Sequence, residues 1–223
     1  MRWHNVYDDP EQWQRQGPVA TGLTRWVSEH LMHPHPDLGR PGPVCPFVRH
    51  TAHHRLLWAG LATESDPSAT RMNAIVDDAL DLYRRIRQEH PADARGTTVV
   101  TVFPALSSYG IVDAVHAARK TEVVSEGSML GQFYPGCTVP GLWHADFHPL
   151  DAPYPMLVLR PMMSTDFPFL VARSEWLYAY FTHLAPDLPR PLRWKIAERM
   201  RIDGPAAELI TALRAHSADE HAR

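Results

Sequence analysis

The sequence predicts an α/β fold of the α+β kind: a single mixed sheet covered by helices, with helical N- and C-terminal extensions. Three observations predict it. Short Val/Leu-rich runs alternate with segments of helical periodicity. Hydrophobic residues make up 44% of the chain and charged residues 21%, the proportions of an ordinary packed core. A length of 223 residues suffices for one sizeable core but would leave two domains small. One domain over residues 1–223 is expected, divided into an N-terminal helical arm (1–36), an α/β core (37–185) and C-terminal helices (186–223).

From Thr21 to Met32, the residues Leu23, Trp26, Val27, His30 and Leu31 recur at helical spacing behind a Thr21 cap. His33 to Pro46 is a Pro/Gly-rich connection, and Leu56 to Leu61 is an apolar run of strand length. Asp66-Pro67-Ser68 opens the clearest helix. Met72, Ile75, Val76, Ala79, Leu80, Tyr83 and Ile86 fall on one of its faces, with Asp77, Asp81, Arg84 and Arg85 off it, and it ends near His90-Pro91. Thr97 to Phe103, rich in Val and Thr, reads as a buried strand halted by Pro104. Tyr109 to about Lys120 reads as another helix.

Met129 to Phe133 and Met156 to Arg160 are the next strands, joined through Pro135, Pro140, Pro149, Pro153 and Pro155. A connection of about 20 residues without regular structure is unusual in a compact domain, and such loops are commonly functional. Helices are expected at Ser174 to Leu184, Leu192 to Met200 and Pro205 to His216, with a frayed end from Ala218 to Arg223.

Composition removes several classes of function. A net charge of −3, with no local Lys/Arg cluster, gives no general attraction to phosphate backbones or anionic lipid, so nucleic acid is not an expected partner. Met1 to Pro10 lacks the basic and apolar regions of a secretion signal, and no apolar run approaches the roughly 20 residues needed to cross a bilayer. A cytoplasmic protein with no membrane association is expected. Two cysteines, Cys45 and Cys137, supply neither a disulfide framework nor a four-cysteine zinc site. Proline (21) and histidine (14) are abundant, and His33, His35, His90 and His148 adjoin prolines, which favour extended or turn backbone.

Phosphate loops of the G-x-x-x-x-G-K-[ST] and G-x-G-x-x-G types are absent from the sequence, as is the G-x-S-x-G nucleophile elbow. Ser107 and Ser108 follow a predicted strand, where a serine nucleophile would sit, but no flanking glycines accompany them, and helix capping is the plain alternative. The densest set of ligand-type side chains is His144-Ala145-Asp146-Phe147-His148. In an extended backbone His144, Asp146 and His148 would share one side, the ligand set of a non-haem iron site. The plain alternative is a polar loop with Phe147 plugged into the core. Distant partners His183 and Arg193 would complete the pattern of an iron/2-oxoglutarate oxygenase, but they fall in predicted helices whereas those enzymes are β-sandwiches.

Gly131 to Cys137 leaves a strand and enters a turn, placing Tyr134 and Cys137 at the mouth of the sheet, where tyrosinate or thiolate would bind haem iron. A hydrogen-bonded buried Tyr and a small apolar Cys are the plain alternatives. At Cys45-Pro46-Phe47, Pro46 suits a helix first turn, which would favour a thiolate at Cys45, with structural burial as the other reading. Arg160, inside an apolar strand, needs a carboxylate, a propionate or water. Asp166 is its nearest internal partner; a functional cavity with an anionic ligand is the competing reading, which makes Arg160 the candidate catalytic residue.

These segments resemble a bacterial domain family of unknown function marked by Gly-Pro-Val-Cys-Pro-Phe near its start, here Gly42 to Phe47. Its later blocks, Gly-Gln-Phe-His-Pro, Phe-Arg-Pro-Leu and a strand ending in Ile-Arg, have several counterparts. These are Gly131-Gln132-Phe133-Tyr134-Pro135, Phe147-His148-Pro149-Leu150, Leu159-Arg160 and then Asp166-Phe167-Pro168-Phe169-Leu170. The similarity covers Leu38 to Ala185 and implies no activity.

A more distant likeness is to YqcI/YcgG-like proteins, some of which are haem-dependent N-hydroxylases of guanidino amino acids. These have an early Pro-Cys element and a Gly-x-His-Pro whose His is the expected haem ligand. That His falls on Tyr134 here, so the resemblance implies a Tyr134 ligand, an iron held by His144 or His148, or loss of the cofactor. Three functions are therefore expected to compete. One is a haem-dependent oxygenase (a monooxygenase of specialised metabolism) acting on a nitrogen of a small amino-acid-like substrate, with haem held by Tyr134, Cys137, His144 or His148. Another is a non-haem iron enzyme using His144, Asp146 and His148. The last is a non-catalytic protein that binds a small molecule or a partner. Partners are expected to be a small-molecule substrate and at most a second copy of the chain as a homodimer.

Overall fold

Residues 1–91 and 95–202 are described by the computed structural model; the expected helix at 205–216 and the frayed end at 218–223 lie outside the described residues. Five strands form one mixed sheet: β1 (Trp3–Asn5), β2 (Leu57–Leu61), β3 (Thr98–Val102), β4 (Ser128–Phe133) and β5 (Met156–Pro161), in the order β1-β2-β3-β5-β4. β2 and β3 are parallel and the other pairs antiparallel. The parallel pair is joined across α4 (Ala69–Glu89), because parallel strands need a long crossover that a two-residue turn cannot supply.

All four expected strands form at their expected places, within about two residues of their expected ends. β1 corrects the reading of residues 1–36 as purely helical. It is only three residues long, and its pairing with Trp58 to Gly60 supplies what its own polar sequence does not. Asn5 is held there by its amide, which donates to the Arg55 carbonyl (2.6 Å) and accepts from the Tyr7 and Asp8 N–H groups (3.0 and 3.1 Å).

Register assigns the two faces of the sheet, since residues paired across strands point to the same side. Val99, Leu130, Leu157 and Leu159 face α4 and α5 (Gly110–Ser125). Ala59, Val100, Val102, Phe133, Met156 and Val158 face α1 (Pro10–Gln14) and α2 (Pro18–Trp26). A third cluster forms around Met129, Leu170, Val171 and Leu177, where α6 (Ser174–Leu184) and α7 (Arg190–Met200) pack.

α2 begins earlier than expected, with Pro18 in its first turn behind Gly17 (φ 104°), so Thr21 is not its cap. α5 continues past Lys120 to Ser125 because Val123 and Val124 are fully buried and hold the added turn. A short helix α3 (Val48–His53) was not expected, and it starts too late to place Cys45 at a helix N-terminus. Ser107 is no helix cap: its N–H and hydroxyl both donate to Asp66 (2.7 and 2.8 Å), while α5 starts without a side-chain cap.

α4 is the most strongly encoded helix. Met72, Ile75, Val76, Ala79, Leu80, Leu82, Tyr83 and Ile86 are buried, and Ser68 accepts from the Arg71 N–H at 3.2 Å. Ser68→Ala removes the acceptor of an otherwise orphaned donor and is expected to cost about 1 kcal/mol. Urea denaturation checks this; an unchanged midpoint would show that water replaces the cap without loss.

Candidate functional site: the π-turn and the aromatic row

Beyond Trp26 the helical path widens into a single π-turn, Val27–Leu31, closed by the Met32 N–H donating to the Val27 carbonyl (3.2 Å). Single π-turns are uncommon and recur at functional sites. Three contacts from the 42–49 segment pin its exit. The Cys45 N–H donates to the Leu31 carbonyl and the Val44 N–H to the His33 carbonyl, both at 2.9 Å. Arg49 donates to the Met32 carbonyl through Nε (2.9 Å) and Nη2 (2.5 Å). The Gly42 to Phe47 motif is therefore a strap that fixes where the π-turn ends.

The π-turn carries His30 into a continuous row of rings. Phe133 meets Trp26 edge-on at 6.1 Å, Trp26 stacks on His30 at 6.2 Å, His30 meets His35 at 5.8 Å, and His35 meets Phe147 at 5.1 Å. Phe133 is the last residue of β4, and Phe147 is the buried anchor of the long loop. The row thus ties α2, the sheet edge, the His33–Pro36 segment and the loop together. Just beyond that segment Gly39 (φ 74°) packs against the loop: a Cβ there would stand 2.9 Å from the Trp143 carbonyl oxygen.

His35 Nδ1 accepts from the Asp37 N–H (3.2 Å), so its neutral form carries the proton on Nε2. Burial and the neighbouring His35 push the His30 pKa down, partly opposed by Asp151. His30 consequently favours the neutral imidazole, a lone-pair donor, and none of the described side chains or backbone groups hydrogen-bonds its ring. Asp151 is itself oriented, accepting from the Gly136 N–H at 2.8 Å.

The residues singled out from the sequence do not converge. Among the described residues, no group of three His, Cys, Asp or Glu side chains is placed to hold a metal ion, so the His144, Asp146 and His148 triad is not formed. The physical reason is that the backbone there turns instead of running extended: the Phe147 N–H returns to the His144 carbonyl (3.3 Å) and the Gly141 N–H to the Phe147 carbonyl (2.6 Å). Strand alternation does not apply; Phe147 is buried while His144, Asp146 and His148 are exposed.

Tyr134 lies on the other side of the sheet from the ring row. Its phenol stacks on Tyr109 (5.3 Å) and donates to Asp113 Oδ2 (2.9 Å). Burial first, then the neighbouring Cys137 and Asp113, push its pKa up, so the tyrosinate needed for iron is disfavoured. Cys137 is buried at 1% exposure and Cys45 is half-buried. Neither His183, which contacts the Ser125 carbonyl, nor Arg193, over the Tyr178 ring, approaches the loop.

Arg160 meets its charge inside the chain. Nη1 and Nη2 form a fork on the Asp166 carboxylate at 2.7 and 2.6 Å, and the Phe47 ring lies 5.9 Å away. Desolvation lowers the Arg160 pKa, but the pairing with Asp166 outweighs it and the net direction is up. This removes the sequence argument for an external anion at Arg160. A separate depression of about 350 Å3 among Tyr178, Arg190, Pro191 and Trp194 involves none of these residues.

Sequence reading missed His30 and His35 as site residues. The signal was present in the helical spacing of Trp26 and His30 and in the His33-Pro34-His35-Pro36 run, but nothing in one dimension joins them to Phe133 and Phe147.

The fold and this corner together define a single-sheet α/β protein with a π-turn imidazole set against the sheet edge. The chain belongs to the family described as a domain of unknown function (DUF6875), which it matches over residues 20–195. The matched span contains the π-turn, the strap, the long loop and the Arg160–Asp166 pair. No curated protein and no solved structure matches the chain. Among the described residues no helix is long and apolar enough to cross a membrane.

Proposed function

We propose that this chain is a haem-binding oxygenase of a small amino-acid-like substrate, with His30 as the iron-binding imidazole. The observation that carries the reading is His30 itself: a half-buried ring, held toward its neutral form by its surroundings and without a hydrogen-bond partner among the described residues. Haem bound through an imidazole supplies oxygen activation. The chain's own contributions are distinct. Trp26 and His35 set the orientation of the His30 ring by packing on it, and Phe133 and Phe147 close the row at its ends. Asp151 opposes the lowering of the His30 pKa and so tunes its basicity.

The likeness to YqcI/YcgG-like N-hydroxylases supports the choice of chemistry, an amine or guanidine nitrogen as the acceptor. It does not support the choice of ligand, since its expected His falls on Tyr134, whose phenol is committed to Asp113. Small-molecule binding without catalysis is the outcome if iron does not enter.

Titration with hemin checks the reading. The wild-type chain is expected to give a saturable one-to-one Soret band of imidazole-ligated type. His30→Ala is expected to lose it, with recovery on adding free imidazole, while Tyr134→Phe and the double variant His144→Ala/His148→Ala retain it. A wild type with no saturable band, or a His30→Ala variant that binds like wild type, overturns the assignment.

A further inference from the structure

A second cluster, outside the ring row, is built on α5 and the start of α6. Lys120 on α5 places its ammonium 4.4 Å from the centre of the Trp176 ring, and Arg173 places its guanidinium 5.1 Å from the same ring. Trp176 is fixed from behind by its indole N–H, which donates to Thr121 at 3.0 Å. Two cations held near one ring repel each other, and an anion bound beside them would relieve that repulsion.

The carboxylates nearby do not fill that role. Asp166 contributes attraction to Lys120, but both its oxygens are taken by Arg160, and one of them also by the Met163 N–H (2.8 Å). Glu175 touches Arg173 at 3.4 Å from an exposed position, where such a pair is weak. Lys120 has three N–H donors, and the Phe169 carbonyl (3.1 Å) takes one. His116, one turn earlier on the same helix, stays neutral and brings no negative charge. The Lys120 pKa is pushed down to about 8, by burial first and by Arg173 second, with Asp166 offsetting only part of the shift.

We propose that Lys120 and Arg173, carried on the Trp176 ring, form a binding site for an oxyanion, the phosphate or carboxylate group of a small molecule. Lys120 supplies a point charge with free donors, and Arg173 supplies a planar fork that fits two oxygens. The site is separate from the His30 corner and does not depend on what binds there.

Sequence makes the test direct, because the chain contains only two lysines, Lys120 and Lys195. Lys195 is exposed on α7 and serves as the internal reference. The full chain, labelled with 13C and 15N in lysine, is titrated with pH by NMR in chloride, in inorganic phosphate and in acetate at matched ionic strength. The expected result is a low midpoint for Lys120 that rises by about one unit or more at saturating anion, with Lys195 unmoved. Whichever of phosphate and acetate saturates at the lower concentration identifies the oxyanion class. In Arg173→Gln the Lys120 midpoint is expected to rise without any anion, since the repelling charge is gone, and the saturable response to be lost. The proposal is overturned if neither anion moves Lys120 beyond the chloride control, if Lys195 moves equally, or if Arg173→Gln responds like wild type.

Discussion

Asp166→Asn is expected to destabilise the folded protein by about 3–5 kcal/mol, the cost of leaving a buried charge without its partner. The Asp166 side chain is 2% exposed and that of Arg160 29%, so water replaces little of what is lost. The carboxylate also accepts from the Met163 N–H, which holds the turn after β5 (Ser164–Phe169) against the sheet. At roughly 2–4 °C per kcal/mol for a chain of this size, the melting temperature should fall by about 6–20 °C. Arg160→Leu/Asp166→Leu removes both charges at once, and such replacements of buried pairs are often near neutral. The double variant is therefore expected to be clearly more stable than Asp166→Asn. If the single variant melts like wild type, or if the double variant is no better than the single, the pair is not what holds this strand end.

The second large effect is on acid stability. His116 is half-buried on α5, with Nε2 donating to the Leu130 carbonyl (2.9 Å), and its pKa is lowered to about 4 by burial and by the Lys120 charge. In the unfolded chain the same imidazole takes a proton near 6.5. Between these values the unfolded state binds the extra proton and the folded state does not. Stability is therefore fully present above about pH 6.5 and is lost as pH falls toward 4, by about 3 kcal/mol at most. His116→Gln keeps a donor for the Leu130 carbonyl and removes the titration. The expected result is that the urea-unfolding free energy of wild type falls relative to that of His116→Gln, by up to about 3 kcal/mol, as pH is lowered from 7 to 4. Parallel curves would mean that His116 is protonated in the folded state as easily as in the unfolded one.

Both effects fall on residues whose types were visible in the sequence but whose circumstances were not. Arg160 stood out as a charge in an apolar run, with Asp166 six positions on as its internal partner; the choice between that carboxylate and an external anion waited for the fork geometry. His116 gave no signal at all, because a histidine on a predicted helix says nothing about which carbonyl the neighbouring strand presents to it.

The same division runs through the fold and the site. Local pattern alone located α4, β2, β3, β4 and β5, because each buries a face with its own period: 3.6 residues for the helix, a continuous apolar run for the strands. It did not locate β1, whose three residues gain their stability from β2, nor the π-turn, which is held by the Cys45 N–H and the Arg49 guanidinium, 14 and 17 positions downstream of their acceptors at Leu31 and Met32, through tertiary contact with the 42–49 segment. The His144 to His148 reading failed because it assumed an extended backbone, whereas the loop folds back on Phe147. By itself the sequence determined a mixed α/β sheet, its principal helix and strands, and the segments in which ligand-type side chains are dense. Only the tertiary structure decided which of those side chains meet, placing His30 and His35 in a ring row and Tyr134 on the opposite face. The physical reason is that secondary structure follows from periodic burial within one segment. A site needs side chains from four segments to face one another, and that is set by how the segments pack.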